Sequence, residues 1–242
     1  MDLKVLVSTS SFGQVDPRPV QLLEDHGVEY EVNPTGLRLD PVEAVKLLQD
    51  FDGLIAGTER LDRGLLSSAP KLKVISRCGI GVDSVDLEAA AELGITVYNT
   101  PEAPVDAVAE LALATILDLL RHVSRADRGI REGTWYRPMG RLLQGKTVGI
   151  IGLGRIGKAL SKLLQPFGVR ILASDPVQDQ EFARDYSVRF TTLEELLKES
   201  YVVTLHLPYS REAHHLLDRG HLSQMKPDSI LINCSRGGLV DE

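Results

Sequence analysis

The chain has 242 residues, a net charge of −7 and a hydrophobic fraction of 43%, values that suit one large or two modest soluble domains. The negative balance argues against nucleic acid as the main partner, because phosphate-binding surfaces are normally basic. Two cysteines, Cys78 and Cys234, form neither a CxxC motif nor a disulfide framework, so we expect a reduced, cytoplasmic protein. The N-terminus lacks the pattern of a signal peptide, and charged residues interrupt the most apolar helix, so no membrane span is predicted.

Short strand-like and helix-like runs alternate through the first part of the chain. Strands are predicted at 4–8, 28–32, 53–57, 72–76 and 95–99. Helices are predicted at 18–26, 41–50, 61–69 and 86–94, the last of them closed by Gly94. Because the strands are apolar throughout rather than alternating, the pattern is typical of a parallel sheet covered by helices on both faces.

A polar break at 99–104 separates this series from a long helix predicted at 105–123. The arginine-rich stretch 125–142 is predicted to be a loop. A second series then opens at 146–152, with strands predicted over the sequences TVGII, VRILA, VVTLH and SILIN. The sequence therefore predicts two α/β domains, 1–101 and 102–242, each built on a doubly wound parallel sheet.

The glycine-rich sequence at 152–157 has the form G-x-G-x-x-G, with Gly152, Gly154 and Gly157 as its glycines. It follows the strand TVGII and opens a helix, which is the context that a dinucleotide-binding turn requires. Its glycines let the backbone approach a pyrophosphate at the helix N-terminus. Asp175 ends the next strand and can accept hydrogen bonds from ribose hydroxyls, which favours NAD over NADP. The alternative is an ordinary strand–turn–helix with a solvated aspartate.

A second turn, at 77–83, joins a buried strand to a helix through Gly79 and Gly81. Such a turn leaves backbone N–H groups that can hold a carboxylate, and Arg77 adds positive charge. The alternative is a tight turn with no ligand.

These motifs belong to a larger set that resembles the NAD-dependent D-2-hydroxyacid dehydrogenases, and among them the phosphoglycerate dehydrogenases most closely. The matching blocks are residues 77–83 with Val85 and Asp86, 99–101 with Ala109 and Glu110, 152–157, Asp175 with Pro176, 206–208, and 233–238. The resemblance implies a flavodoxin-like substrate domain, a Rossmann domain that binds NAD, a small 2-hydroxy or 2-oxo acid as substrate, and a homodimer.

The resemblance also implies roles for individual residues. Arg77, Gly79, Ile80 and Gly81 are expected to bind the substrate carboxylate, with Ile80 also near the cofactor. Arg236 is expected to be the catalytic arginine, which clamps the 2-oxo acid and polarises its carbonyl group. The expected cofactor-binding residues are Ile80, Gly152, Gly154, Arg155, Ile156, Gly157, Asp175, His206, Leu207, Pro208, Cys234, Ser235 and Arg236.

Other residues invite competing interpretations. His206 could carry a proton, but the family uses residues 206–208 to line the adenine pocket, so we interpret it as a cofactor-pocket residue. His214 and His215 look like metal ligands, yet adjacent residues on a helix do not face one another, and no metal site is predicted. Trp135 is either an interface residue or a local core anchor.

In two respects the sequence departs from the family. The family's catalytic histidine and its acidic partner lie well beyond the arginine that Arg236 matches, and the sequence ends at Glu242. We therefore expect an incomplete second domain. An isolated chain of this length is expected to be poorly stable or to self-associate, and to lack 2-oxo acid reductase activity. A non-catalytic NAD(H) sensor or corepressor-like scaffold is the alternative function. Pro104 and Ala213 replace residues usual in phosphoglycerate dehydrogenases, which leaves glyoxylate or hydroxypyruvate open as substrate.

Overall fold

Parallel strands alternate with helices along the chain, which divides into two units, Met1–Pro104 and Val105–Glu242. The computed structural model describes residues 3–9, 11–33 and 41–242, with only the backbone of residues 41 and 42. Part of the N-terminal segment used for the signal-peptide prediction, namely Met1, Asp2 and Ser10, lies outside the described residues. The division follows Pro104, three residues after the boundary predicted from the sequence.

The first unit is built on a five-stranded parallel sheet with the strand order β2-β1-β3-β4-β5. Its strands are β1 (Lys4–Val7), β2 (Glu29–Val32), β3 (Gly53–Ala56), β4 (Val74–Arg77) and β5 (Thr96–Asn99). The helices are α1 (Arg18–Asp25), α2 (Pro41–Leu48), α3 (Arg63–Ser67) and α4 (Leu87–Glu92). This order is that of flavodoxin-like folds, as predicted.

Local sequence explains where two of these helices begin. The Asp62 carboxylate accepts a hydrogen bond from the Leu65 amide at the start of α3. Asp86 does the same for the Ala89 amide at the start of α4, so the predicted helix begins one residue later than Asp86. Such side-chain caps satisfy amides that have no partner within the helix. Gly94 follows α4 with φ +72°, a left-handed conformation that ends the helix as predicted.

The second unit is built on another five-stranded parallel sheet, with the order β10-β9-β6-β7-β8. Its strands are β6 (Thr147–Ile151), β7 (Arg170–Ser174), β8 (Val188–Phe190), β9 (Val202–Leu205) and β10 (Ile230–Asn233). Its helices are α5 (Val105–Arg121), α6 (Val123–Arg131), α7 (Arg155–Leu164), α8 (Gln180–Asp185), α9 (Leu193–Glu199) and α10 (Arg219–Leu222). Counted from β6, the order is that of the Rossmann fold, as predicted.

The prediction of a loop at 125–142 is wrong over its first part, because the helix α6 covers Val123–Arg131. His122 breaks the preceding helix with φ +57°. Asp118 then accepts hydrogen bonds at 2.7 Å from both the amide and the hydroxyl of Ser124, which caps the new helix. The cap comes from the previous helix, so the polar composition of the stretch gave no sign of it. Strand β8 was also absent from the predicted elements.

Two hydrophobic clusters enclose the second sheet. One joins residues of α5 and α7 to the sheet, including Ile116, Leu160 and Val148. The other joins Leu196 and Leu197 of α9 to strand residues that include Ile151 and Val203. This is the sandwich of helix, sheet and helix that apolar parallel strands predict.

Candidate functional site

The carboxyl ends of β6, β7, β9 and β10 lie along one edge of the second sheet, since these strands are parallel neighbours. The strand order reverses between β6 and β9, and folds of this kind bind ligands at that point. The His206 amide donates to the Ile151 carbonyl at 2.8 Å there. Gly152 has φ +93°, and a Cβ on it would lie 2.8 Å from the His206 carbonyl carbon. The first glycine of the motif is therefore required by both conformation and space.

The other two glycines shape the start of α7. A Cβ on Gly157 would lie 2.3 Å from the Gly152 carbonyl oxygen, so this glycine lets the helix approach the turn. Gly154 is the N-cap residue of α7 and has no side chain to bond the first amides of the helix. A Cβ on it would contact nothing within 4 Å. Among the described residues, the amides of Arg155, Ile156 and Gly157 have no acceptor. An open, positively polarised helix end of this kind suits a phosphate.

Asp175 follows β7 and already accepts two backbone hydrogen bonds. One comes from the Leu153 amide in the glycine-rich turn and the other from the Val177 amide, each at 2.7 Å. The carboxylate therefore ties the turn to β7, a role that the sequence did not predict. Each carboxylate oxygen accepts more than one hydrogen bond, so acceptor capacity for ribose hydroxyls remains.

His206 lies at the end of β9 and is only 8% exposed. Its Nε2 pairs with the Thr204 hydroxyl at 2.9 Å, while its Nδ1 is buried and has no partner among the described residues. Burial lowers the pKa of the His206 imidazole to about 4, so the ring is neutral near pH 7. A buried polar nitrogen without a partner is uncommon in folded proteins, so this atom marks the end of β9 as a candidate binding position. Leu207 is half-buried and Pro208 is exposed.

Arg236 follows β10 in a turn that its neighbours fix. The Ser235 hydroxyl donates to the Leu205 carbonyl at 2.8 Å, which joins the turn to the end of β9. The Asn233 side chain donates to the Arg236 carbonyl at 2.8 Å, and Arg236 Nη1 donates to the Ser235 carbonyl at 2.9 Å. Burial raises the pKa of the Cys234 thiol, which keeps it protonated. The turn thus carries a half-buried guanidinium at the same sheet edge as the glycine-rich turn.

In the first unit, the turn after β4 is held by Asn99, the last residue of β5, and by Thr100, which follows it. The Gly79 amide donates to the Thr100 hydroxyl at 2.8 Å, and the Thr100 amide donates back to the Gly79 carbonyl at 3.1 Å. The Asn99 side chain donates to the Ile80 carbonyl at 2.8 Å. These bonds explain physically why the sequence blocks at 77–83 and 99–101 occur together. The amides of residues 80–82 have no acceptor in the described part of the chain.

Arg77 lies over its own turn. A Cβ on Gly79, which has φ +142°, would stand 2.8 Å from Arg77 Nη1, and Nη1 donates to the Cys78 carbonyl. Arg77 Nε is buried and has no partner among the described residues. The turn therefore combines a positive charge with backbone amides, and such a combination can bind a carboxylate.

The sequence analysis missed a buried polar group at the equivalent edge of the first sheet. Ser8, Asn33 and Glu59 follow β1, β2 and β3 and are each 4% exposed. The Glu59 carboxylate pairs with the Ser8 hydroxyl and accepts from the Gly57 amide at 3.1 Å. These bonds tie the segment after β3 to the end of β1, where the order of this sheet reverses. The sequence did contain a sign of this group, because each of its polar residues comes within three positions of the end of a strand.

Two other candidates are corrected by the structure. His214 and His215 lie in a turn rather than on a helix, and their rings stack with centroids 3.8 Å apart. In the described part of the chain, no three His, Cys, Asp or Glu side chains are placed to hold a metal ion. Trp135 is 85% exposed, so it is not a local core anchor.

None of the described helices is long and apolar enough to cross a membrane.

Comparisons with known proteins agree with this geometry. Residues 113–242 match the family described as D-isomer specific 2-hydroxyacid dehydrogenase, NAD binding domain. The chain is 39% identical to a glyoxylate reductase of Pyrococcus horikoshii, covering 92% of this chain and 69% of that protein. It is 40% identical to a D-3-phosphoglycerate dehydrogenase of Methanocaldococcus jannaschii, covering 92% of this chain and 43% of that protein.

The fold is also found in solved structures. The D-lactate dehydrogenase of Aquifex aeolicus, crystallised with NAD and lactic acid, matches with a TM-score of 0.80 at 30% identity, over 98% of this chain and 70% of that one. The glycine-rich turn, the sheet order and the sequence matches all identify the same kind of protein. The chain belongs to the D-isomer specific 2-hydroxyacid dehydrogenase family, and its second unit carries the family's NAD-binding domain.

Proposed function

We propose that the protein is an oxidoreductase that moves a hydride between NAD(H) and a small 2-hydroxy or 2-oxo acid. The observation that carries this proposal is the placement, along one edge of the second sheet, of a dinucleotide-type turn and a guanidinium. A dinucleotide needs the first of these features, and a carboxylate-bearing substrate needs the second.

The second unit offers several contacts for the cofactor. The open start of α7 suits the pyrophosphate, and the Asp175 carboxylate suits the adenosine ribose. Residues 206–208 would line the adenine pocket, where the buried His206 Nδ1 lacks a partner among the described residues. When bound, the nicotinamide supplies or accepts the hydride, and the protein supplies orientation and electrostatics.

Arg236 would act on the substrate. Its planar guanidinium can make two hydrogen bonds, to a carboxylate oxygen and to the 2-oxo oxygen. Reduction places negative charge on that oxygen, and a fixed positive charge stabilises it. Arg77 and the amides of residues 80–82 would bind the substrate carboxylate in the first unit's turn.

We infer that glyoxylate or hydroxypyruvate is a better substrate than a phosphorylated acid. The family resemblance implies that phosphoglycerate dehydrogenases usually carry an asparagine and a threonine where this chain has Pro104 and Ala213. The glyoxylate reductase and the phosphoglycerate dehydrogenase among the relatives are almost equally similar to this chain, at 39% and 40% identity, so overall identity does not choose between them.

We also propose that the protein is a cytoplasmic homodimer that binds no nucleic acid. Exposed apolar side chains lie on α5, on α6 and on the loop after them. They are Leu111, Leu119, Val123, Ile130, Trp135, Met139 and Leu142. That loop folds back on the helices, since the Arg141 amide donates to the Leu120 carbonyl at 2.8 Å and the Thr134 amide to the Gly129 carbonyl at 2.8 Å. Two free cysteines suit a reducing compartment, and the charge of −7 disfavours nucleic acid.

The decisive experiment separates cofactor binding from substrate binding. NADH should bind, and oxamate, a non-reducible analogue of a 2-oxo acid, should then bind to the NADH complex, both measured by nicotinamide fluorescence. Arg236→Ala should abolish oxamate binding and leave NADH affinity within about threefold, and Arg236→Lys should restore little, because a point charge makes no bidentate contact. Turnover with glyoxylate, hydroxypyruvate and phosphohydroxypyruvate is measured on the protein expressed from its whole reading frame.

The outcomes distinguish the two functions. A protein that binds NADH tightly but binds no oxamate and reduces none of the three acids would be the NAD(H) sensor rather than the enzyme. Oxamate binding that survives in Arg236→Ala would remove Arg236 from the substrate site.

A further inference from the structure

Three rings in the loop between β9 and α10 lie beside the turn that carries Arg236. The Tyr209 hydroxyl is 3.1 Å from His214 Nδ1, and the two rings meet edge to face. The His214 ring stacks on that of His215 with centroids 3.8 Å apart. We refer to Tyr209, His214 and His215 as the ring cluster.

The ring cluster contacts the Arg236 turn at Gly238. A Cβ on Gly238 would lie 2.8 Å from Tyr209 Cε2 and 3.6 Å from His214 Nδ1. The His215 amide donates to the Gly238 carbonyl at 2.8 Å. Gly238 is therefore held by a ring and a backbone bond only two residues after Arg236.

The pairing continues into the core behind this contact. The Leu217 amide donates to the Leu239 carbonyl at 3.0 Å, the Asp241 amide donates to the Leu217 carbonyl at 2.9 Å, and both leucines are fully buried. The backbone bonds thus pair residues 215–217 with residues 238–241. The ring cluster lies at the end of this pairing that includes Gly238, which is the end nearest to Arg236 in sequence. His215 has φ +54°, which a residue with a side chain rarely adopts unless its surroundings fix it.

We propose that Tyr209 and His215 are positioning residues for Arg236. Asn233 and Ser235 fix the turn where it leaves β10, and none of their side-chain hydrogen bonds among the described residues involves Gly238. The contacts from the ring cluster complete the turn, so that the guanidinium presents both hydrogen bonds to the substrate at once. This inference rests on the proposed function, in which Arg236 binds a 2-oxo acid. Displacement of such a group by about 1 Å can lower a rate by roughly 100-fold.

The first test compares two substitutions of the same ring on the protein expressed from its whole reading frame. Tyr209→Ala removes the contact with Gly238 and should lower kcat/KM for the 2-oxo acid by about 10- to 100-fold, with the Kd for NADH within about threefold. Tyr209→Phe keeps the ring and should stay within about threefold of the wild type. Tyr186→Ala is the matched control, because it removes a ring of α8's end that stacks on Phe182 at 4.5 Å, and it should leave kcat/KM unchanged.

A double substitution tests whether the effect passes through Gly238. Gly238→Ala places a methyl group against the Tyr209 ring and should lower kcat/KM. Adding Gly238→Ala to Tyr209→Ala should cause little further loss, since the opposing ring is gone. If the losses instead multiply, the two sites act independently and the proposal is overturned.

Hydrogen exchange gives a readout that does not depend on activity. The amides of Leu239, Val240 and Asp241 are hydrogen-bonded in the turn and its pairing. They should exchange about tenfold faster in Tyr209→Ala than in the wild type or in Tyr209→Phe. Equal exchange in all three proteins would overturn the inference. Normal reduction of 2-oxo acids by both wild type and Tyr209→Ala would overturn only the positioning role, whereas a wild type that neither binds oxamate nor reduces any 2-oxo acid refutes the proposed function itself.

Discussion

At the scale of single residues, the candidate site depends on polar groups that have two tasks. Asp175 holds the glycine-rich turn through the Leu153 amide and is also the group expected to bind the ribose. His206 pairs with Thr204 on one nitrogen and leaves the other unpaired among the described residues. A substitution at either position should therefore change ligand binding and folding together, and the measurements must separate the two.

Replacing Asp175 with alanine should weaken NADH binding by about 10- to 100-fold, because hydrogen bonds to a charged group contribute roughly 1.5–3 kcal/mol. The wild type should bind NADH much more tightly than NADPH, since a carboxylate repels the 2′-phosphate. Fluorescence titrations with both cofactors measure this. Asp179→Ala is a nearby control, since Asp179 pairs with Lys158 instead of the turn. Equal affinity of the wild type for NADH and NADPH would exclude the assigned role of Asp175.

His206 should make the protein less stable as the pH falls. Its pKa is about 4 in the folded chain and 6.5 in the unfolded chain, so between these values the unfolded chain binds more protons. The stability contribution is fully present above pH 6.5 and is lost towards pH 4, by a total on the order of 3 kcal/mol. Urea unfolding at pH 7 and pH 4.5 should show a smaller loss in His206→Gln than in the wild type. Identical losses in the two proteins would show that His206 already takes up its proton in the folded state.

At the scale of secondary-structure elements, glycines set how closely helices approach the second sheet. A Cβ on Gly149 of β6 would lie 2.4 Å from both Leu196 Cδ2 and Ser200 Oγ. The helix α9 therefore packs against β6 at a distance that only glycine permits. Gly154 differs, because its Cα faces open space at the start of α7. The sequence alone does not distinguish the two glycines, whereas their surroundings show that Gly149 is needed for packing and Gly154 leaves space at the helix end.

This difference predicts opposite results for two matched substitutions. Gly149→Ala should lower the free energy of unfolding by about 1–3 kcal/mol through overpacking. Gly154→Ala should cost under about 1 kcal/mol, yet weaken NADH binding strongly, since the new methyl group occupies the approach to the pyrophosphate. Urea denaturation and NADH titration of both variants check the pair. A Gly154→Ala protein with wild-type NADH affinity would place the pyrophosphate elsewhere.

At the scale of the whole molecule, one region of the second unit exposes large apolar side chains to solvent. Trp135 and Met139 are 85% and 91% exposed. A cavity of about 300 Å³, lined by residues that include Leu117, Leu120, Leu142 and Phe167, opens beside the same loop. Exposed apolar surface of this kind is typical of a protein–protein interface, and aromatic residues and methionine are enriched in such interfaces.

A double substitution in this region should convert the proposed dimer to a monomer. Met139→Asp with Leu142→Asp places two charges in the apolar surface, and burying them unpaired is costly. Size-exclusion chromatography with light scattering should show a dimer for the wild type and a monomer for the variant. Val15→Asp changes an equally exposed apolar residue of the first unit, 98% exposed, and should leave the dimer intact. A monomeric wild type, or a variant that still dimerises, would exclude this surface as the interface.

The sequence by itself determined the parallel α/β class, the order of most strands and helices, and the position of the glycine-rich turn at 152–157. These features follow from local patterns: uniformly apolar strands, and a glycine motif whose function depends on neighbours in sequence. The family and its cofactor could also be predicted, because the motif residues occur as short continuous blocks. Sequence alone failed at α6, whose cap is supplied by Asp118 on the preceding helix, and at the short strand β8.

Only the tertiary structure decided which polar groups are buried and what they contact. Glu59 meets Ser8 across 51 positions of sequence, and the Ser235 hydroxyl meets the Leu205 carbonyl across 30. No local periodicity records such pairs, because they form where parallel strands from distant parts of the chain end at a common edge. The same reason explains the ring cluster, because the contact of its histidines with Gly238 exists only once residues 215–217 pair with residues 238–241. The sequence specifies the residue types and the order of helices and strands, whereas the contacts between the ends of strands form only when the chain folds.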